Sequence, residues 1–402
     1  MTHDETEELI ERLAARGDGV TAGGRHVAMG APGDYVRDDG SLRYGPHHAE
    51  PACCHYGTCG GCQLQHVDDI ALGNFVTERV VNAARGQKLE PEKVAPVHLS
   101  PPHTRRRASL HGQRTGGVVI GYKEAHSHQI VDLKECPVLA PELVAIIAPL
   151  RRMLAQRQGK LSVEIDLALT EQGVDLAIKG FKVEGLKETE AALDFARDNN
   201  LARLSLDQGY GPESLWEPEP VTVSLSGVSA PLPPGGFLQA TVDGEQALAS
   251  AVTQWLKGAP VVADLFAGLG TFSFALARAG TKVLAVEADR AAHLACKAAA
   301  GGSMLPVHVM HRDLFRNPLL LDELNRFSGV VIDPPRAGAK EQIGRIAGST
   351  VPRVVYISCN PSSWARDAAT LIAGGYRLVE LRPVGQFRWS NHVELASLFV
   401  KG

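Results

Sequence analysis

Apolar and polar positions follow two regimes along the chain. From about residue 237, short and nearly continuous apolar runs alternate with stretches of helical period. Val261-Val262-Ala263-Asp264-Leu265-Phe266 reads as a buried strand, Ala267-Gly268-Leu269-Gly270-Thr271 as a glycine loop, and Phe272 to Ala279 as a helix. Further strands are predicted over Lys282 to Val286, Val307 to Met310, Gly329 to Ile332 and Arg353 to Ile357. A helix over Ser362 to Ala373 follows the last of these, with Pro361 suited to its first position. Arg377 to Leu381 and His392 to Val400 then read as two strands with no helix between them. Strands alternating with helices predict an α/β fold with an open, doubly wound sheet.

Before residue 237 the signal is weaker. Residues 67–87 have helical period, 97–135 are strand-like and 140–158 helical. Strand candidates at 161–169 and 174–179 precede a helical stretch near 187–198, which predicts an α+β middle unit. Residues 1–34 carry many turn residues and read as a few short strands, with 35–50 as loop or tail. The expected division is 1–50, 51–235 and 236–402, the last entered through Pro231-Leu232-Pro233-Pro234-Gly235-Gly236.

Composition narrows the class. At 402 residues and 44% hydrophobic content the chain can bury a large core, and no apolar run is long enough for a membrane span. Met1-Thr2-His3-Asp4-Glu5 is acidic and lacks an apolar signal core, so a cytoplasmic protein is expected. A net charge of -4 argues against wholesale coating of nucleic acid and directs attention to local patches. Residues 101–130 hold five Lys/Arg (Arg105, Arg106, Arg107, Arg114, Lys123) against Glu124, interspersed with His103, His111, His126 and His128. They read as a solvated sheet face or as phosphate contacts.

The seven cysteines are an odd set in an apparently reducing compartment, which favours metal or catalysis over disulfides. Cys53, Cys59 and Cys62 are spaced by six and then three residues, and Cys136 lies in Lys134-Glu135-Cys136-Pro137. Three clustered thiolates with a remote Cys-Pro suit a [4Fe-4S] cluster, around which Gly60 and Gly61 let the backbone curl. Structural zinc is the rival, and a metal-free loop the third reading. Cys54 is read as a bystander.

Cys359, in Ser358-Cys359-Asn360-Pro361, stands at a strand end beside a helix N-terminus, which is expected to lower its pKa. Alone, it is more simply a buried thiol ending a core strand. Glu287 ends the second strand 19 residues past Gly268, a spacing suited to a ribose diol. With only two loop glycines a dinucleotide pyrophosphate fits poorly, and S-adenosylmethionine fits better. Asp313 follows the third strand, and the fourth ends in Asp333-Pro334-Pro335-Arg336.

Cys53…Cys59-Gly60-Gly61-Cys62-Gln63-Leu64-Gln65-His66, Asp333-Pro334-Pro335-Arg336, Ser358-Cys359-Asn360-Pro361 and His392-Val393-Glu394, in this order, resemble the RNA (uracil-C5)-methyltransferases. The resemblance is closest to the iron–sulfur branch that modifies 23S ribosomal RNA. It implies a class I (Rossmann-like) S-adenosylmethionine-dependent methyltransferase domain, a central α+β domain and an N-terminal TRAM domain, a small RNA-binding β-barrel. Residues 8–35 match only the start of that barrel, so a truncated TRAM-like segment is expected, with RNA docking leaning on the cluster region and the basic patch. The resemblance makes Cys359 the nucleophile and Glu394 the base, whose apolar flanks Val393 and Leu395 should raise its pKa. Gln239, Phe266, Thr271 (usually Asn), Glu287, Asp313 and Asp333 match donor-binding positions, and Cys53, Cys59, Cys62 and Cys136 the cluster ligands. The implied partner is ribosomal RNA, with transfer RNA the alternative and a monomer the expected state. A target uridine inside folded RNA must be flipped out, with Phe237, Phe387 and Trp389 as candidate stacking partners. A non-catalytic RNA-binding protein is the competing class, against which Cys359 and Glu394 speak.

Overall fold

The structure is a computed structural model that describes residues 7–114, 116–125, 127–157 and 159–402; His126 lies outside them. Three main sheets organise the chain. The largest has nine strands, and its central path runs Val307–His311, Lys282–Glu287, Val261–Leu265, Gly329–Ile332, Arg353–Ser358, Glu394–Lys401, Tyr376–Gly385. The first five are parallel, and Glu394–Lys401 is antiparallel to both of its neighbours. These strands read as apolar runs because both faces are covered. Leu248, Val252, Trp255, Phe272 and Leu276 pack on one face, and Trp364, Leu371, Leu72 and Val76 belong to the core on the other. The order of strands reverses between Val261–Leu265 and Gly329–Ile332, so a crevice opens at their carboxyl ends.

Residues 69–99, which the sequence assigns to the middle unit, pack on this sheet instead. Asp68 caps the helix Asp69–Gly86 by accepting from the Ala71 N–H at 2.8 Å. The helix buries Leu72, Phe75, Val76 and Val80 at helical spacing, in the same core as Trp364 and Phe399. Lys93–Val94 and His98–Leu99 then pair in parallel with Tyr376–Gly385. The second sheet has six strands in the order Pro212–Trp216, Leu201–Asp207, Gly173–Lys179, Ser162–Thr170, Arg107–Arg114, Val118–Gly121. Its core includes Leu143, Leu150 and Leu154 from the adjoining helices.

The N-terminal segment departs from expectation. Residues 35–50 are not a plain loop: Tyr35–Val36 and Leu42–Arg43 complete a five-stranded sheet with Glu8–Leu13, Gly19–Thr21 and His26–Val27. Two-residue strands carry too little alternation to be read, and this pairing rests on long-range contacts. Among the described residues no helix is long and apolar enough to cross a membrane.

Candidate active site

The register of two strands brings the catalytic candidates together. Ser358 pairs with Leu395, so Cys359 and Glu394 stand next to each other at one end of adjacent antiparallel strands. The turn after Ser358 is built by Asn360, whose Oδ1 accepts from the Ser362 N–H at 3.1 Å and caps the helix Pro361–Ala373. The Asn360 Nδ2 and Ser363 Oγ both donate to the Arg336 carbonyl at 2.9 Å, which ties the Ser-Cys-Asn-Pro turn to the Asp-Pro-Pro-Arg loop. Asp367 pins the same loop from below, accepting from the Ala339 N–H at 2.8 Å and the Tyr356 hydroxyl at 2.7 Å.

Electrostatics at this point correct one expectation. The Cys359 thiol is pushed up to about 11, chiefly by burial and then by the charges of Glu394 and Asp333, against a smaller opposing effect of Arg336. Burial and the two carboxyls outweigh the helix N-terminus, whose capping position Asn360 occupies. Burial pushes the Glu394 carboxyl up to about 7, the direction read from its apolar flanks, while a hydrogen bond from Gln386 and the charges of Arg107 and Arg336 oppose it. Asp333 is held well above the usual carboxylate range by burial, Glu394 and Asp264. Asp264, buried in the first strand with Oδ1 unpartnered, is pushed up to about 7. The crevice therefore gathers carboxyls whose ionisation burial and mutual repulsion disfavour.

The expected donor-site residues line the same strand ends. Glu287 closes the glycine loop: its Oε2 accepts from the Gly268 N–H at 2.8 Å and its Oε1 from Ala288 and Asp289 at 2.7 Å. Phe266 adopts a left-handed φ of 62° and faces Phe315 at 5.3 Å, which forms an aromatic wall. Asp313 accepts from the Phe315 N–H at 2.9 Å and so fixes that wall's second ring. Thr271 begins the helix Thr271–Arg278. The Gln239 Oε1 accepts from Gln386 Nε2 at 2.8 Å, and Gln386 Oε1 accepts from the Ala240 N–H at 3.0 Å. Gln386 thus connects the linker at Gln239 to Glu394, a role without a sequence motif. Asp264 was findable, as a carboxylate inside an apolar strand.

The Arg105-Arg106-Arg107 run is not one patch. Arg106 is buried, pairs with Glu245 and donates from Nε to the Gln239 carbonyl at 3.1 Å. Successive residues of an extended backbone point to opposite sides, so Arg105 and Arg107 face away from it. Arg107 lies over Phe237 at 4.7 Å, with its Nε unpartnered, and is held down to about 10 by burial and Arg105 despite the nearby charges of Glu394 and Cys359. Arg105 lies over Phe387 at 5.4 Å, and Phe387 meets His392 edge-on at 6.0 Å. Trp389 is buried, whereas Phe237 is 63% exposed.

Cys53, Cys59, Cys62 and Cys136 line a common small cavity with Tyr122, Pro137 and Arg105. Gly60 lies so close to the Lys123 carbonyl that a Cβ there would stand 2.8 Å from its oxygen. Burial, and then the neighbouring thiols, raise Cys59 and Cys62, the latter to about 12; burial likewise raises Cys53. Among the described residues no three His, Cys, Asp or Glu side chains converge as a single metal ion requires. Cys54 is exposed.

The strand order and glycine loop define the class I methyltransferase fold. The crystal structure of Pyrococcus abyssi tRNA (uracil-54, C5)-methyltransferase, in complex with S-adenosyl-L-homocysteine, has the same fold: TM-score 0.74 over 98% of this chain and 100% of that one, at 23% identity. The tRNA (uracil-5-)-methyltransferase family model matches residues 309–401. An uncharacterised RNA methyltransferase of Zymomonas mobilis is 47% identical over 98% of this chain and 99% of its own. The 23S rRNA (uracil(1939)-C(5))-methyltransferase of Edwardsiella ictaluri is 32% identical over 93% of this chain and 86% of its own. The chain belongs to the RNA (uracil-C5)-methyltransferase family.

Proposed function

We propose that this enzyme uses S-adenosylmethionine to methylate carbon 5 of a uridine in 23S ribosomal RNA through a covalent cysteine–uracil adduct. The observation that carries the reading is the adjacency of Cys359 and Glu394 across paired strands, with Asp333 in electrostatic contact with both. Cys359, once its thiol proton has passed to water, adds Sγ as the thiolate to carbon 6 of a flipped-out uracil, and the electron pair displaced toward carbon 5 makes that carbon a nucleophile. When bound, the donor would supply an electrophilic methyl group on a sulfonium: the carbon 5–methyl bond would form as the methyl–sulfur bond breaks, with the sulfur keeping the electron pair and leaving as a neutral thioether. Glu394 then takes the proton from carbon 5, the 5,6 double bond re-forms and the thiolate leaves. A carboxyl poised near neutrality suits that transfer. Glu287, Phe266, Phe315 and Asp313 are positioned to hold the adenosine, and Gln239 and Asp333 to hold the donor's polar end.

The four-cysteine cavity is read as a [4Fe-4S] site on the spacing of Cys53, Cys59 and Cys62 with the remote Cys136, which line one cavity, and zinc is the rival. When bound, the cluster would cross-link the 53–62 loop to Cys136 through iron–thiolate bonds. Purified anaerobically, the protein should carry about four irons. Stoichiometric zinc without iron would sink that assignment.

The adduct is tested by denaturing electrophoresis with labelled donor and RNA. Glu394→Gln should give a slow band of protein, RNA and methyl, and Cys359→Ala should give none. Normal turnover by Glu394→Gln moves the base elsewhere. The ribosomal reading is supported by the Edwardsiella relative, and mapping 5-methyluridine in ribosomal and transfer RNA from cells lacking the protein decides it.

A further inference from the structure

The cysteine loop has no step in the chemistry above, yet it reaches the segment that presents the base. Residues 386–393 join Tyr376–Gly385 to Glu394–Lys401 and end directly at Glu394. This segment carries Trp389 at a left-handed φ of 58°, a conformation that must be imposed by its surroundings. Its restraints come in large part from Gln63 and Leu64, immediately after Cys62. The Trp389 carbonyl accepts from the Gln63 N–H at 2.8 Å and from the Leu64 N–H at 2.9 Å. The Gln63 side chain makes the third link: its Oε1 accepts from the Asn391 N–H at 3.2 Å, three residues before Glu394. The Gln63 Nε2 donates to the Gly60 carbonyl at 2.8 Å, which fixes the amide's orientation from inside the cysteine loop. A glutamine in this place joins two loops more than 300 residues apart in sequence.

We infer that Gln63 is a positioning residue for removal of the carbon 5 proton, holding the 386–393 segment so that Glu394 meets the methylated adduct. Arg388 anchors the other end of the segment, to Asp69 and to the Ser100 carbonyl, and the backbone links to Trp389 survive substitution, so loss of the Gln63 side chain removes the contact to Asn391, the one nearest Glu394. Misplacement of a base by about an ångström is sufficient for a large rate loss, whereas binding of donor and RNA relies on other residues.

The inference rests on Glu394 acting as the base, and the test separates the two. Full-length protein carrying Gln63→Leu is compared with Gln63→Glu, which keeps an acceptor for Asn391, and with Glu394→Gln. Expected for Gln63→Leu is a fall in kcat of roughly tenfold to a hundredfold with little change in either KM. The RNA–protein adduct bearing the methyl should accumulate, and amide exchange over residues 390–393 should accelerate without a general loss of protection. Gln63→Glu, which keeps the acceptor for Asn391 but loses the donor to the Gly60 carbonyl, should resolve the adduct faster than Gln63→Leu. If Glu394→Gln traps the adduct and Gln63→Leu turns over normally, the positioning role is overturned while the base stands. If Glu394→Gln turns over normally, both fall. A uniform loss of protection, with kcat and KM worsening together, assigns Gln63 to general stability and overturns the inference. Gln63→Ala takes the place of Gln63→Leu should the latter not fold.

Discussion

Glu394 carries a cost that its chemistry explains. A carboxyl with an ordinary value of 4.5 is buried to 5% exposure and pushed up to about 7. In the unfolded chain the same group ionises near its ordinary value. Between these two values the folded state holds more protons than the unfolded state, so stability falls as pH rises through the window, and the full cost is present above about 7. Glu394→Gln keeps the shape and removes the charge. It should stabilise the protein at pH 8 by up to about 3 kcal/mol, and the gain should shrink to nothing below pH ~4.5. Thermal unfolding across pH measures this. An equal gain at pH 4 and pH 8 would mean that the effect is packing rather than ionisation. A carboxyl placed where it destabilises the fold supports the reading of Glu394 as the base.

At the scale of elements, Arg106 is the residue whose context decides its meaning. In sequence it is the middle of a basic run; in the fold it is the partner of Glu245, 139 residues away on the helix Val242–Trp255. Arg106→Met should cost about 3–5 kcal/mol, because it leaves a buried carboxylate unpaired. The double replacement Arg106→Met with Glu245→Leu should recover most of the loss in chemical denaturation. No recovery would mean that the bond from Arg106 to the Gln239 carbonyl, rather than the ion pair, is what matters. The same contrast explains what was legible in the sequence. The strands Val261–Leu265, Gly329–Ile332 and Arg353–Ser358 lie within a residue or two of their apolar runs, because burial on both faces writes itself into composition. The placement of Cys359, Glu394 and Asp333 at neighbouring strand ends was legible from their motifs. Lys93–Val94 was not, and His98–Leu99, though inside a stretch read as strand-like, could not be assigned to this sheet, since both pair with Tyr376–Gly385 far along the chain. Gln386 was missed for the same reason, and Arg107 was read only as part of a basic run rather than as a neighbour of Glu394: their partners are distant, and no local period marks them.

For the whole molecule, a chain of net charge -4 has to attract a polyanion. The structure concentrates cations at one mouth drawn from separate parts of the sequence. Arg336 of the Asp-Pro-Pro-Arg loop lies 3.4 Å from His392, while Arg105, and Arg79 of the helix Asp69–Gly86, lie within electrostatic reach of the same histidine. Burial and these three arginines lower the His392 pKa, so the mouth is cationic without it. Among the described residues none of the three arginines has an ion-pair partner, unlike Arg106, Arg203 or Arg312, which are paired with carboxylates. Guanidiniums without carboxylate partners at this mouth suit RNA phosphates. Each phosphate contact on a single strand contributes about 0.7 to the slope of log K against log salt. Arg79→Ala combined with Arg105→Ala should therefore flatten the salt dependence of RNA binding by roughly 1.4 and weaken affinity at low salt. Donor affinity, measured by calorimetry, should be unchanged, because neither is among the residues read as holding the donor. A slope that stays the same in a folded double variant would place the docking surface elsewhere, on the N-terminal five-stranded sheet or the outer face of the six-stranded one.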